Sequence, residues 1–363
     1  MRLKKGTPDL LLFFVTMVLL AIGIVMVFSA SYYDTLENDP YFYVRKQLTW
    51  GLIGLVAMFV MMKIDYFRLK PYVNIIFAMS FLLLILVLII GEEHHGSTRW
   101  IDLGFTNVQP SEIMKLCMVL FLASKLSQIG PRIKNFSSGL APYLLLLCVV
   151  GGLIMKEPDL GTALSIVGTA VVLLIVAGMR LKHFAFLGVA GMGAVAALIY
   201  QETYRLKRIT GWWDPWAYPS TEGYQAINSL YALGSGGFFG MGLGNSRQKL
   251  DFLPEQHTDF IFAILGEELG FVGCFLVILL FFLIAWRGYR IALTCPDVFG
   301  SLLATGITTM IVLQAFMNMG VVTGLLPITG ISLPFISYGG SSLLFSMLGV
   351  GILLNVSRYS NNL

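Results

Sequence analysis

Leu10-Leu-Leu-Phe-Phe-Val-Thr-Met-Val-Leu-Leu-Ala-Ile-Gly-Ile-Val-Met-Val-Phe-Ser-Ala30 runs its whole length without a charged residue. About 20 such residues cross a hydrocarbon core about 30 Å thick as an α-helix. Lipid offers the backbone no hydrogen-bond partner, so a spanning segment must satisfy its own N–H and C=O groups. A cleavable signal peptide has a shorter apolar core, about 7–15 residues, ending in small residues. This run is longer and leads into others of its kind, so it reads as a retained first span.

Working outward, comparable runs fall at 47–62, 72–90, 110–128, 141–156, 161–179, 184–200, 259–286, 298–320 and 336–356, which makes ten spans. The expected fold is an all-α polytopic integral membrane protein forming a single membrane domain over residues 1–363. Composition agrees: of 363 residues, 57% are hydrophobic and 12% charged, against about 25% charged in soluble domains, and mean hydropathy is +0.80. A net charge of +4 with no basic run excludes a nucleic-acid surface. The four cysteines, Cys117, Cys148, Cys274 and Cys295, sit in or beside apolar stretches at spacings that suit neither a disulfide framework nor a metal site.

The charges orient the spans. Arg2, Lys4, Lys5, Lys63, Arg68, Lys70, Lys125, Arg132, Lys134, Arg180, Lys182, Arg287, Arg290 and Arg358 fall on one side, which the positive-inside rule makes cytoplasmic together with both termini. The other side holds Arg45, Lys46, Arg99 and Lys156, and most acids, including Asp34, Glu37, Asp39, Glu92, Glu93, Glu157, Asp159, Asp214 and Glu222. Residues 201–258 form the one substantial non-membrane segment, a large extracytoplasmic loop, and function is sought on its side. Its Trp212-Trp-Asp-Pro-Trp216 and Tyr218 suit a membrane interface.

Polar residues near span ends stand out against this background. In Gln109-Pro-Ser-Glu-Ile-Met-Lys115, Glu112 and Lys115 form either an internal ion pair on a capped helix or the wall of a polar cleft facing an anionic lipid. In Lys156-Glu-Pro-Asp-Leu-Gly-Thr162, Asp159 caps the next helix, or joins Lys156 in holding a phosphate or a divalent ion. The densest cluster, Arg247 to Asp259, places His257 and Glu255 beside Asp259, which is either a helix cap or a general base at the mouth of a span. Glu267 and Glu268, further inward, call for a polar cavity, a partner such as Lys115, or a proton pathway. Gln314 and Asn318 share a helix face and are expected to join helices. The Pro- and Gly-rich run 324–342, which includes Ser337, predicts broken or re-entrant backbone whose hydroxyls and freed amides contact sugar or pyrophosphate oxygens.

Gln109-Pro-Ser-Glu112, Glu157-Pro-Asp-Leu-Gly-Thr162, Leu253-Pro-Glu-Gln-His-Thr-Asp-Phe260 and Leu326-Pro-Ile-Thr-Gly-Ile-Ser-Leu-Pro-Phe335 together resemble the signatures of the SEDS family of shape, elongation, division and sporulation proteins. The Ser337-Tyr-Gly-Gly-Ser341 ending is most similar to its division and sporulation branch. The resemblance implies a SEDS-type fold and an inverting peptidoglycan glycosyltransferase that polymerises lipid II on the outer face of the bacterial cytoplasmic membrane. It implies that Asp259 is the essential aspartate, deprotonating the acceptor GlcNAc 4-hydroxyl for attack on the donor MurNAc anomeric carbon with release of undecaprenyl pyrophosphate. Arg99, Trp100 and Lys115 match family positions implicated in activity; Arg99, Lys115 and Arg247 become candidate anion contacts, and Glu112, Lys156, Asp159, His257 and Ser337 further substrate contacts. A divalent cation, Mg²⁺ or Mn²⁺, is implied without a readable ligand shell, as are a class B penicillin-binding transpeptidase and other division or sporulation proteins as partners. A lipid II flippase and a noncatalytic scaffold for the transpeptidase are the alternatives. Transport would favour a repeat-based architecture, and no repeat is visible.

Overall fold

The computed structural model describes residues 5–360 except 34, 37, 38, 95, 96, 103, 105, 106 and 251. Arg2, Lys4, Asp34 and Glu37, used above to orient the chain, lie outside the described residues. The first run becomes α1 (Leu10–Ser31), started by Asp9, whose carboxylate accepts from the Leu12 amide at 2.9 Å. α2 (Phe42–Lys63), α3 (Val73–Ile90), α4 (Pro110–Ile129) and α5 (Ala141–Lys156) follow. Pro110 enters α4 at its first turn, where a missing N–H costs nothing.

Among the described residues, eight helical segments are long and apolar enough to cross a membrane: Leu10–Ser31, Phe42–Lys63, Tyr66–Ile90, Pro110–Lys134, Phe136–Lys156, Ile261–Thr294, Val298–Val322 and Gly340–Ser357. The chain is an all-α polytopic membrane protein. Outward-facing Leu52, Val56, Ile75, Met79, Leu82, Phe275 and Phe282 form the belt that lipid would cover. The sixth and seventh runs become α6 (Leu160–Val176), an apolar helix of 17 residues, and α7 (Leu181–Gln201).

Residues 201–258, whose polarity led to the expectation of a large loop, are partly helical. They contain α8 (Thr203–Trp213) and α9 (Tyr224–Gly236), because Thr203-Tyr-Arg-Leu-Lys-Arg-Ile-Thr alternates cations and apolar residues at helical spacing. A small antiparallel sheet, β1 (Glu92–His94), β2 (Ser97–Asp102) and β3 (Asn107–Val108), joins α3 to α4, which the span-by-span reading did not anticipate.

The core lies between α1, α4, α10 (Ile261–Thr294), α11 (Val298–Val322) and α12 (Gly340–Ser357). α10 breaks at Gly270, where φ is +67°. There the loop after α9 docks by backbone, with Phe271 N donating to Gly237 O at 2.9 Å and Met241 N to Glu267 O at 3.0 Å. As the Pro- and Gly-rich sequence predicts, no helix or strand covers residues 323–339. That segment packs against α1 at Gly23, where a Cβ would stand 2.3 Å from Phe335 O.

Candidate functional site

A cavity of about 1390 Å³ opens at one end of the bundle. Its walls come from α2 (Lys46, Trp50), β2 (Arg99, Trp100), the α5–α6 junction (Lys156, Pro158), α8 (Arg205, Arg208), the approach to α10 (Glu255, Asp259) and the irregular stretch 328–332. Polar groups at the opposite end are spent on structure: Arg287 Nε meets Asp9 at 2.7 Å, and Asn355 Nδ2 donates to Met62 O at 2.7 Å.

Asp259 sits just ahead of α10, half-buried in the wall. Asn318 of α11 holds it in place, donating through Nδ2 to the carbonyls of Asp259 and Ile331, each at 2.7 Å. Loss of solvent around its carboxyl, then the Glu255 charge, push Asp259 up to about 7, while Arg99 opposes them. The Arg99 side chain is tied back by the carbonyls of Glu157 (3.1 Å) and Pro158. Glu157 beside it is fully buried with neither carboxylate oxygen bonded, and burial followed by the Asp159 charge raises it to about 8.

Of the residues singled out from sequence, Arg99, Trp100, Glu112, Lys156 and Asp259 line the cavity. The rest are placed around it. Lys115 is 5% exposed and bonds Glu112 at 2.7 Å and Gln314 Oε1 at 2.6 Å, so its ammonium serves the ion pair and a helix joint rather than the open space. Asp159 caps α6, accepting from Thr162 N at 2.9 Å and Thr162 Oγ1 at 2.8 Å. Ser337 Oγ donates to Thr258 O at 2.6 Å and accepts from Leu333 N at 2.7 Å, bracing the turn before Asp259. The His257 ring lies 4.4 Å from that of Tyr43, and its carbonyl accepts from Tyr338 N. Arg247 is exposed, and its amide donates to Glu267. Glu267 and Glu268 do not reach Lys115: Glu267 accepts from Ser246 Oγ and the amides of Arg247 and Gln248, and Glu268 pairs with the buried Lys249 at 2.9 Å. This network anchors the loop that leads to Asp259.

Sequence reasoning passed over Arg205 and Arg208, whose spacing on a short amphipathic helix was the available signal, and read Asn318 as a simple helix joint. It also gave no role to Lys46 of α2.

For a divalent cation, the donor set is partial. Among the described residues no group of three or more His, Cys, Asp and Glu comes together to cage a metal. Asp259 and Glu255 do share the cavity wall, and Mg²⁺ is commonly held by one or two carboxylates with substrate phosphates completing its shell. The residues fit an ion shared with a phosphorylated substrate, not a preformed site.

Fold and site define a polytopic membrane protein with a charged, half-open chamber at one end of its helices. The chain matches the model of the FtsW/RodA/SpoVE cell cycle proteins over residues 9–362. It is 50% identical to stage V sporulation protein E of Bacillus subtilis (strain 168), covering 99% of this chain and 100% of that protein. It is 42% identical to the probable peptidoglycan glycosyltransferase FtsW of Geobacter sp. (strain M18), covering 98% of each. Its structure is similar to a chain from a peptidoglycan synthase complex solved to explain how polymerization and crosslinking are coordinated, with TM-score 0.81, 31% identity and coverage of 97% and 98%. It is also similar to the rod shape determining protein RodA of Thermus thermophilus, with TM-score 0.73, 30% identity and 98% coverage of each. The chain belongs to the FtsW/RodA/SpoVE family, the SEDS proteins.

Proposed function

We propose that this chain, a peptidoglycan glycosyltransferase of the SEDS family, polymerises lipid II in the cavity beside Asp259. The observation that carries the reading is one half-buried carboxylate, held up to about 7 and aimed by Asn318 into a cation-lined chamber. A base of that strength is still ionised in part at neutral pH and takes a proton readily. Asp259 would accept the proton of the acceptor GlcNAc 4-hydroxyl as its oxygen attacks the donor MurNAc anomeric carbon from the face opposite the diphosphate, inverting the centre. The departing diphosphate needs no protonation by an acid, because its charge is spread over phosphate oxygens and met by Arg99 and Lys156. A Mg²⁺ or Mn²⁺ ion held by Asp259 and Glu255 would supply further stabilisation of that charge. Trp100, with Trp50, gives the sugars an aromatic wall.

Ten spans with both termini in the cytoplasm put this chamber on the extracytoplasmic face. What supports that orientation is that the chamber draws on the ends of segments assigned outside by charge, while Lys5, Arg287 and Arg358 gather at the other end. There the chain would meet lipid II after its transfer across the bacterial cytoplasmic membrane, at a septum or around a forespore, with a class B penicillin-binding transpeptidase as partner.

The test is polymerisation of purified lipid II by the protein with its cognate transpeptidase, comparing wild type with Asp259→Ala, each with and without Mg²⁺. Polymer should form with wild type and Mg²⁺ and be lost on chelation or substitution. No polymer from wild type, with lipid II crossing vesicle membranes in an Asp259-dependent way, would establish the flippase instead.

A further inference from the structure

Residues 328–332 lie in the cavity wall, and their two kinds of backbone group are treated in opposite ways. The scaffold takes up their carbonyls: Ile328 O accepts from Arg208 Nη1 at 2.9 Å, Ile331 O from Asn318 Nδ2 at 2.7 Å, and Ser332 O from Gln314 Nε2 at 2.9 Å. The amides of Ile328, Thr329, Gly330, Ile331 and Ser332 find no acceptor among the described residues. Thr329 Oγ1 is a further group without a partner, on a side chain only 7% exposed that lines the same cavity. Buried or half-buried donors left this way are costly unless something in the cavity accepts from them.

The surroundings specify the acceptor's charge. Arg208 reaches one end of the stretch, and a Cβ built on Gly330 would lie 3.9 Å from Arg99 Nη1. Two guanidinium groups beside successive N–H groups that lack acceptors are the components of which anion sites are built. Gly330, at φ +71°, takes a left-handed backbone that side-chain-bearing residues rarely adopt, and the same Cβ would stand 3.5 Å from Asp259 Oδ2, so this point of the wall faces the carboxylate. An anion here therefore touches the space in front of the proposed base.

Building on the glycosyltransferase reading, we propose that residues 328–332, with Arg99, Arg208 and the Thr329 hydroxyl, form the cradle for the leaving diphosphate of the lipid-linked donor. As the acceptor O4 bonds to the donor C1, the C1–O bond to the diphosphate breaks. Its electron pair passes to the diphosphate oxygen facing the amides, and the hydroxyl proton goes to Asp259. The cradle holds charge that exists in full only after that bond has broken, so it binds the product side more tightly than the substrate.

The amides themselves report the test. Hydrogen exchange is followed in the full-length, detergent-solubilised protein for peptides covering 325–334, with and without inorganic pyrophosphate. Exchange should slow about tenfold or more at saturation, as each unpartnered N–H gains an acceptor. Thr329→Val should weaken pyrophosphate binding about fivefold and Thr329→Ser leave it near wild type, as expected for one charge-assisted hydrogen bond. Unchanged exchange in wild type at millimolar pyrophosphate, or wild-type affinity in Thr329→Val, would overturn the cradle. Lipid II polymerisation is read on the same preparation. Polymer without pyrophosphate protection defeats the cradle alone, whereas protection without polymer upholds the anion site and defeats the glycosyltransferase reading.

Discussion

Replacing Asn318 by leucine, a side chain of similar size, tests how the scaffold aims Asp259. The Asn318 amide nitrogen, on a residue 1% exposed, donates to Asp259 O and Ile331 O at 2.7 Å each. Leucine strands both carbonyls, at about 1–3 kcal/mol apiece. Part of that is offset, because Asn318 Oδ1 is itself buried without a partner and its removal returns about 2 kcal/mol. The net loss of about 2 kcal/mol is one a folded protein commonly survives. Turnover should fall much further, because the Asp259 turn and the 331 wall lose the clamp between them, and a displacement of about 1 Å can cost about 100-fold in rate. Lipid II polymerisation and thermal unfolding are measured on the same purified protein. A modest drop in unfolding temperature with about 100-fold slower polymerisation is expected. Wild-type turnover by Asn318→Leu would refute the reasoning.

Three further expectations follow from the geometry. A base must be ionised to act, so kcat/KM should rise with pH through a midpoint of about 7 and level off about one unit above it; Glu255→Gln, by removing a charge that raises Asp259, should move the midpoint to lower pH. An unmoved midpoint would detach Glu255 from Asp259. Glu268→Leu strands Lys249, 1% exposed, and should cost about 3–5 kcal/mol in unfolding measurements, most of it recovered when Lys249→Met is added. Gly23→Ala drives a Cβ to 2.3 Å from Phe335 O, a backbone atom that cannot turn aside, and should cost about 1–3 kcal/mol, read as lower thermal stability.

The membrane fold was legible because lipid imposes one rule on every span: an unbroken apolar run long enough to cross. The runs at 10–30, 47–62 and 298–320 need nothing from distant residues to declare themselves. Local chemistry left Asp259 as either a cap or a base, and the family resemblance singled out both it and Arg99, which stand together in the cavity wall. Asp159 and Ser337 carry the right groups near the right place, but those groups are consumed by Thr162 and Thr258, which no spacing rule reveals. Lys115 had two open readings, and its second partner, Gln314, lies about two hundred positions away in the chain. Arg208 was hidden for the converse reason. A polar segment between spans reads as loop, while its helix is fixed by distant contacts such as Trp212 Nε1 to Gly324 O at 2.8 Å.

The central claim is that Asp259 is the base of a lipid II polymerase. Asp259→Asn keeps the shape of the side chain and the backbone carbonyl that Asn318 holds, and removes the carboxylate charge and with it the capacity to take a proton or hold a cation. Its measured rate of glycan formation from purified lipid II, with folding verified by thermal unfolding, is the most direct test. The account predicts a protein as stable as wild type that makes no polymer above background; polymer at the wild-type rate would contradict it.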